Sequence, residues 1–146
     1  MAADDDRRNS AQPVLVRARA SHPIVEGLPF DAPPSIGGYN EFVAAPGTRV
    51  ILEGDRYRVS LDGEVATFER VGVFPLLVLS EPAADAGTIG RRACLATDVA
   101  PHWVGGLVDW GDARLTVSVG GAAVEIGNDY ARLFRNLLLW ALGGEP

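Results

Sequence analysis

Between His22 and Gly47 the chain carries Pro23, Pro29, Pro33, Pro34 and Pro46, together with Gly27, Gly37, Gly38 and Gly47. Proline locks its own φ and pushes its predecessor toward extended backbone, so no long helix fits in this stretch. A turn-rich passage of this length inside a compact domain is uncommon and often functional. The periodic segments on either side of it therefore decide the fold class.

Those segments read mostly as strands. Val14-Leu15-Val16 is a short strand candidate and Val50-Ile51-Leu52 a buried one. Tyr57, Val59 and Leu61 then alternate with Arg56, Arg58 and Ser60, the period of a half-buried strand. Asp62-Gly63 is a favoured two-residue hairpin turn, with the return through Glu64 to Phe68. Pro75 to Leu79 is a continuous apolar run flanked by turn signals, as in a central strand buried on both faces. Residues 81–90 read as a loop, Arg92 to Thr97 as a second central strand, and Val99 to Asp112 as irregular. Leu115, Val117 and Val119 alternate with polar residues, Gly120-Gly121 turns the chain, and Val124-Glu125-Ile126 returns.

The one clear helix comes last. Tyr130, Leu133, Phe134, Leu137, Leu138 and Ala141 fall on one helical face. Asn128 or Asp129 can cap its start, and Gly143-Gly144 can end it. Leu139, Trp140 and Leu142 make the last turn apolar nearly all round, so this end is expected to be deeply buried or covered by a partner. The expected architecture is an α/β domain over residues 13–146, with a mixed sheet, β-hairpins and a C-terminal helix. Residues 1–12, charged and small, read as a disordered tail.

Composition narrows the function classes. A chain of 146 residues makes one domain. The net charge of −6 argues against general nucleic-acid binding, which needs a basic surface to displace counterions. No apolar run approaches the roughly 18 residues of a membrane helix. Met1 to Ser10 has no apolar centre, so it does not read as a signal peptide, and a cytoplasmic location is expected. All 13 basic residues are arginine, as in proteins of GC-rich bacterial genomes. The single Cys94 excludes an internal disulfide framework.

Six residues are the candidates for chemistry. Asp98 and His102 follow a predicted buried strand, and ligands in open α/β sheets bind beyond strand ends. A carboxylate can orient an imidazole and stabilise its charged form, so this pair is the catalytic candidate. The plainer alternative is that Asp98 caps the next turn and His102 packs on Trp103. His22, Tyr39, Asn40 and Trp103 are the ligand-binding candidates, since a phenol, an amide and an aromatic face beside a histidine suit a small polar ligand. His22 can equally be a turn histidine bonded to nearby backbone. Cys94 lies in an apolar strand with no elbow around it and reads as a small buried hydrophobe. No Gly-x-Ser-x-Gly, phosphate loop or dinucleotide fingerprint occurs. Asp98, His102 and His22 lack metal-ligand spacing, so neither a metal nor a cofactor is expected. Arg91-Arg92 suits an anion or a solvated strand edge.

Ser21-His22-Pro23-Ile24-Val25-Glu26-Gly27-Leu28-Pro29 resembles the His-Pro-Ile-x-x-Gly-Leu-Pro segment of glutamine amidotransferase-like proteins. These belong to the class I glutamine amidotransferase-like superfamily, near the trehalose-utilisation group. The likeness continues in order through Gly38-Tyr39-Asn40, Pro75 to Val78, Gly90-Arg91, Thr97-Asp98, Pro101-His102-Trp103, Trp110, Tyr130 and Asn136 to Trp140. It implies a flavodoxin-like core, of which this chain matches the C-terminal half. His102 occupies a place analogous in chain order to the catalytic histidine of true amidotransferases, although Pro-His-Trp replaces their His-Pro-Glu. The elbow cysteine of such enzymes lies in the N-terminal half and has no counterpart here. The resemblance therefore implies a domain that is non-catalytic alone. It would self-associate, dock on a partner chain supplying the N-terminal half and nucleophile, or serve as a binding module for a sugar-like ligand.

Overall fold

The structure, a computed structural model, describes residues 6–7, 14–31, 33–36, 39–81, 90–97, 110–119 and 121–146. It has nine strands among these residues: β1 (Asp6–Arg7), β2 (Val14–Ala18), β3 (Ser35–Ile36), β4 (Tyr39–Asn40), β5 (Arg49–Asp62), β6 (Val65–Ser80), β7 (Arg92–Leu95), β8 (Arg114–Val119) and β9 (Ala122–Gly127). A 3-10 turn spans Pro23–Val25, and the helix α1 spans Asn128–Ala141. Five strands form the main sheet in the order β3-β2-β5-β6-β7, while β1 pairs with β4 and β8 with β9.

Every strand pair among the described residues is antiparallel. The sheet was expected to be mixed, and the difference has a local cause. Two-residue connections can join only antiparallel neighbours, and β5–β6 and β8–β9 are both joined in this way. The two apolar strands predicted at 50–52 and 57–61 are one strand, β5, and β6 runs unbroken from the hairpin return into the Pro75–Leu79 segment. Asp62 is itself paired, opposite Val65, so the loop is Gly63–Glu64, one residue later than predicted. Gly63 takes φ 59°, as the first loop position of a tight hairpin requires.

The β5–β6 ladder is irregular in its inner half. Register shifts leave Ile51 unpaired on β5 and Leu76 unpaired on β6. A bulge interrupts strict alternation and bends the strand. Ile51, Leu52, Leu76 and Leu77 are thereby all fully buried, although a regular strand would send half of them outward. The predicted burial of the Pro75–Leu79 run on both faces holds for Leu76 to Leu79.

By contrast, β7 is at the edge of the sheet and not central, and Arg92, Ala93 and Cys94 on it are exposed. Cys94 is therefore not the buried hydrophobe expected. Among the described residues, β6 is the one strand that pairs with Arg92–Leu95, and β4 meets the chain beyond it, at Ala96 and Thr97.

Helix α1 buries Tyr130, Leu133, Asn136 and Trp140 against the 3-10 turn, β9 and the sheet, joining Ile24, Val25 and Leu28 in the core. Its N-cap is Gly127, with no side-chain cap. The carbonyls of Ala113 and Trp110 accept instead from the N–H groups of Asn128 (2.9 Å) and Tyr130 (3.2 Å). The Asn128 or Asp129 cap predicted from sequence is thus replaced by backbone, and Asp129 serves the positive end of the helix from within the first turn. At the other end, Gly143 N–H donates to Trp140 (3.0 Å) and Gly144 N–H to Leu139 (2.9 Å), closing the helix where expected. The last turn is not wholly covered: Trp140 is buried, but Leu142 is 85% exposed.

Candidate functional site

His22 stands in extended backbone just before the 3-10 turn, with Pro23 at the first turn position. Its Nδ1 accepts the N–H of Ile24 at 3.2 Å, so the side chain caps the turn. That bond requires a lone pair on Nδ1 and leaves the proton on Nε2. The ring edge meets Trp140 at 5.9 Å between centroids, and the Arg91 guanidinium lies over the Trp140 ring at 5.5 Å. Arg91 Nη1 also donates to the Trp140 carbonyl at 2.8 Å. One turn earlier on α1, Asn136 Nδ2 donates to the Ile24 carbonyl at 3.2 Å, and Arg132 Nη1 reaches the Gly27 carbonyl at 2.7 Å. Residues 22–28 are therefore sewn to the helix by side chains more than a hundred residues away. The sequence singled out His22 and Trp140 and offered Asn136 only as a landmark of the resemblance; it gave no signal for Arg132, because carbonyls of an irregular turn leave no pattern in the text.

Desolvation lowers the His22 pKa below the ordinary histidine value, and the Arg49 and Arg91 charges lower it further, while Glu81 opposes them. The neutral ring is also the form that can accept the Ile24 N–H. Protons thus bind the unfolded chain more readily than the folded one below about pH 6.5. The His22 contribution is fully present above that value and is lost as pH falls through the lowered pKa. Urea unfolding of wild type is expected to weaken between pH 7 and pH 5 by more than unfolding of His22→Asn, whose amide oxygen still accepts the N–H but does not titrate. Equal pH slopes for the two proteins would contradict this.

Tyr39 and Asn40 lie elsewhere. Tyr39 is buried, stacks on Phe74 at 4.6 Å and forms a bridge with Thr97, while Asn40 is exposed and its N–H donates to Ala96 at 2.7 Å. The stack depends on Gly54, since a Cβ there would sit 2.5 Å from the Phe74 ring and 2.7 Å from Val14. Arg91, beside Trp140 and His22, and Thr97, beside Tyr39, are the two ends of the β7 segment. At about 3.3 Å per residue they stand roughly 20 Å apart. The structure thus sets Tyr39 and Asn40 against the residues that lead into Asp98, and sets His22 apart from them. Asp98, His102 and Trp103 lie outside the described residues.

A cluster that the sequence did not single out lies on β5. The Asp55 carboxylate, 2% exposed, bridges two arginines. Arg17 Nε of β2 donates to one oxygen, and Arg70 Nε (3.1 Å) and Nη2 (2.6 Å) of β6 donate to the other. Hydrogen bonds that Arg17 donates to Asp55 and Tyr57 hold its guanidinium still more firmly charged. Both arginine side chains are half exposed, so solvent screens these pairs; their main effect is to satisfy a carboxylate that burial would otherwise penalise.

Two openings flank α1 and the end of the sheet. An apolar groove of about 370 Å³ runs along the helix between Ile126, Tyr130, Phe134, Leu138 and Leu142. A polar cavity of about 190 Å³ is lined by Gly47, Arg49, Leu79 and Glu81, and Arg49 and Glu81 are two of the three charged groups that act on His22. Among the described residues no cluster of three metal-binding side chains occurs, and no helix is long and apolar enough to cross a membrane. Cys94 is a free, exposed thiol. Comparison with protein-family models and with curated proteins finds no match for this chain.

Proposed function

We propose that the chain is a domain of the class I glutamine amidotransferase-like kind, the C-terminal half of a flavodoxin-like core, and that it is non-catalytic by itself. The observation that supports this reading is the convergence of its landmarks. His22-Pro23-Ile24, at the start of the resemblance, packs on Asn136 and Trp140, at its end. Tyr39 and Asn40 likewise meet Ala96 and Thr97. Residues that share a pattern with a family across 120 positions are expected to share it because they touch. Parallel strands of a flavodoxin-like sheet would come from the N-terminal half of the family's fold.

The non-catalytic part of the reading rests on nucleophile chemistry. A cysteine nucleophile needs a base within hydrogen-bond reach and an exposed elbow. Cys94 lies in mid-strand, opposite Val78, and His22 is committed to its turn. Glutamate release from glutamine is expected at the uncatalysed rate, and unchanged by Cys94→Ala. Hydrolysis above background that Cys94→Ala abolishes would overturn the reading, since losing a working nucleophile costs several orders of magnitude. Hydrolysis appearing only when a second protein is added would favour a subunit completed by a partner's nucleophile.

The polar cavity at Arg49 and Glu81 favours a second reading, a binding module for a small polar ligand bearing both charges. Thermal stabilisation by such a ligand, lost in Arg49→Ala, is its test.

A further inference from the structure

Beyond Arg56 the β5–β6 hairpin leaves the sheet. Among the described residues β2 pairs with β5 only from Leu52 to Arg56, and β7 pairs with β6 only from Leu77 to Ser80. What projects is a two-stranded arm whose backbone edges pair with no other strand among the described residues. Isolated two-stranded ribbons are marginal in water, and natural edges are usually blunted by proline, bulges or inward charges. The outer edge of β5 from Tyr57 to Asp62 has no proline and no register shift. One face of the arm carries Val59 opposite Phe68 and Leu61 opposite Ala66, with Leu61 75% and Phe68 64% exposed. The other face carries Arg58 opposite Glu69, Ser60 opposite Thr67 and Asp62 opposite Val65.

We propose that this arm is a self-association edge, and that β5 pairs antiparallel with β5 of a second copy of this chain about a two-fold axis through Ser60. The argument is the sequence of the edge itself, Arg56-Tyr57-Arg58-Val59-Ser60-Leu61-Asp62-Gly63-Glu64. It is antisymmetric in charge and symmetric in apolarity about Ser60. Pairing centred there sets Arg58 against the partner's Asp62 and Val59 against the partner's Leu61, while Arg56, beside Val14 of β2 and paired with Glu41, stays within its own chain. Each contact occurs twice.

The rows extend across all four strands. On the apolar face Phe68 and Val59 continue into the partner's Leu61 and Ala66. On the polar face Thr67 and Ser60 continue into the partner's Ser60 and Thr67. Glu69 and Arg58 continue into the partner's Asp62. Directly opposite pairs are the unit of sheet stabilisation, and like charges there are unfavourable. A slip of two residues, the smallest that keeps the faces matched, leaves Arg58 or Asp62 opposite the uncharged Ser60, and a slip of four sets one of them against itself. The register centred on Ser60 is the one that sets Arg58 against Asp62. The open edge from Tyr57 to Asp62 spans about 20 Å, a contact at the low end for stable complexes, so the dimer is expected to form and dissociate with concentration. The inference stands on the arm alone and does not depend on the functional reading above.

The experiment is sedimentation of the full chain from about micromolar to about millimolar concentration, where contacts of this size are populated. Wild type is expected to rise from 15.5 kDa toward twice that mass. Asp62→Arg and Arg58→Asp each place like charges opposite one another, and each is expected to associate at least tenfold more weakly. An equimolar mixture of the two variants restores both opposite-charge contacts in a heterodimer and is expected to regain the wild-type mass. A purely structural role for either residue would not be rescued by mixing. A wild type that stays at 15.5 kDa throughout overturns the proposal, as does association unchanged by Asp62→Arg or a mixture that remains monomeric. Because Arg58 also pairs with Glu69 in its own arm at 3.0 Å, Asp62→Arg decides the matter alone if Arg58→Asp does not fold.

Discussion

Trp140→Ala is expected to remove about 3–5 kcal/mol of folding stability, the usual cost of emptying a tryptophan-sized site in a packed core. A domain of this kind has about 5–15 kcal/mol in total, so the variant should unfold at far lower urea than wild type. The site justifies the upper part of the range. Trp140 is buried, it makes a T-shaped contact with His22, its face carries the Arg91 guanidinium, and its carbonyl receives the same arginine. Removing the ring leaves the histidine without its aromatic neighbour and Arg91 without its platform. The joint between residues 22–28 and the helix would then rest on Asn136 and Arg132 alone. Trp140→Phe keeps part of the aromatic volume and should lose less than half as much. A Trp140→Ala midpoint indistinguishable from wild type would mean that this end of the helix is not part of the cooperative core.

Gly127→Ala is expected to be comparably severe for a different reason. A Cβ at Gly127 would overlap the carbonyl group of Trp110 and lie 2.9 Å from its amide nitrogen. Inserting one carbon into a packed interior typically costs about 1–3 kcal/mol. Here the atoms met belong to backbone. The Trp110 carbonyl is also the acceptor for Tyr130 N–H in the first turn of α1, so relief of the clash breaks a helix-start bond. The loss should therefore exceed that range and show as early unfolding of the helix. Gly90→Ala is the control, because a Cβ there meets nothing within 4 Å among the described residues. Its midpoint should stay close to that of wild type, and a Gly127→Ala variant as mild as Gly90→Ala would contradict the close approach of β9 to Trp110.

The same two positions show what could and could not be read in advance. Trp140 was legible only as part of an apolar last turn: the helical period put Leu138 and Ala141 on the inner face, and both are exposed, whereas Asn136 and Trp140 are buried. The closeness of Gly127 to Trp110 was not legible, since two backbone segments that touch leave no mark on side-chain pattern. The hairpin near Asp62-Gly63 and the one near Gly121 were legible from turn chemistry and alternation. The central position given to Arg92–Thr97 was misread because a short apolar run looks alike whether one neighbour covers it or two. That single error also hid the exposure of Cys94. The expectation of a mixed sheet came from treating Val50–Leu52 and Pro75–Leu79 as separate short strands. They are the inner halves of two long ones, and bulges at Ile51 and Leu76 bury consecutive side chains in a way that hides the alternation of an antiparallel pair.

Of the candidate site, the sequence located His22, Tyr39 and Asn40 as unusual without telling their roles. Their surroundings make His22 and Tyr39 parts of the frame: one caps a turn and abuts the helix, the other stacks on Phe74 over Gly54. The Asp55 cluster was invisible because its three members come from three strands, at positions 17, 55 and 70, whose adjacency is a consequence of register.

The claim on which the account turns is that His22 is a neutral structural cap tied to the helix and not a titrating ligand group. The nitrogen chemical shifts of its ring, followed by NMR from pH 8 to pH 4.5, measure this directly. The account predicts a single tautomer with the proton on Nε2, and a pKa below the ordinary histidine value of about 6.5. A mixture of tautomers at neutral pH, or a pKa at or above that value, would contradict it.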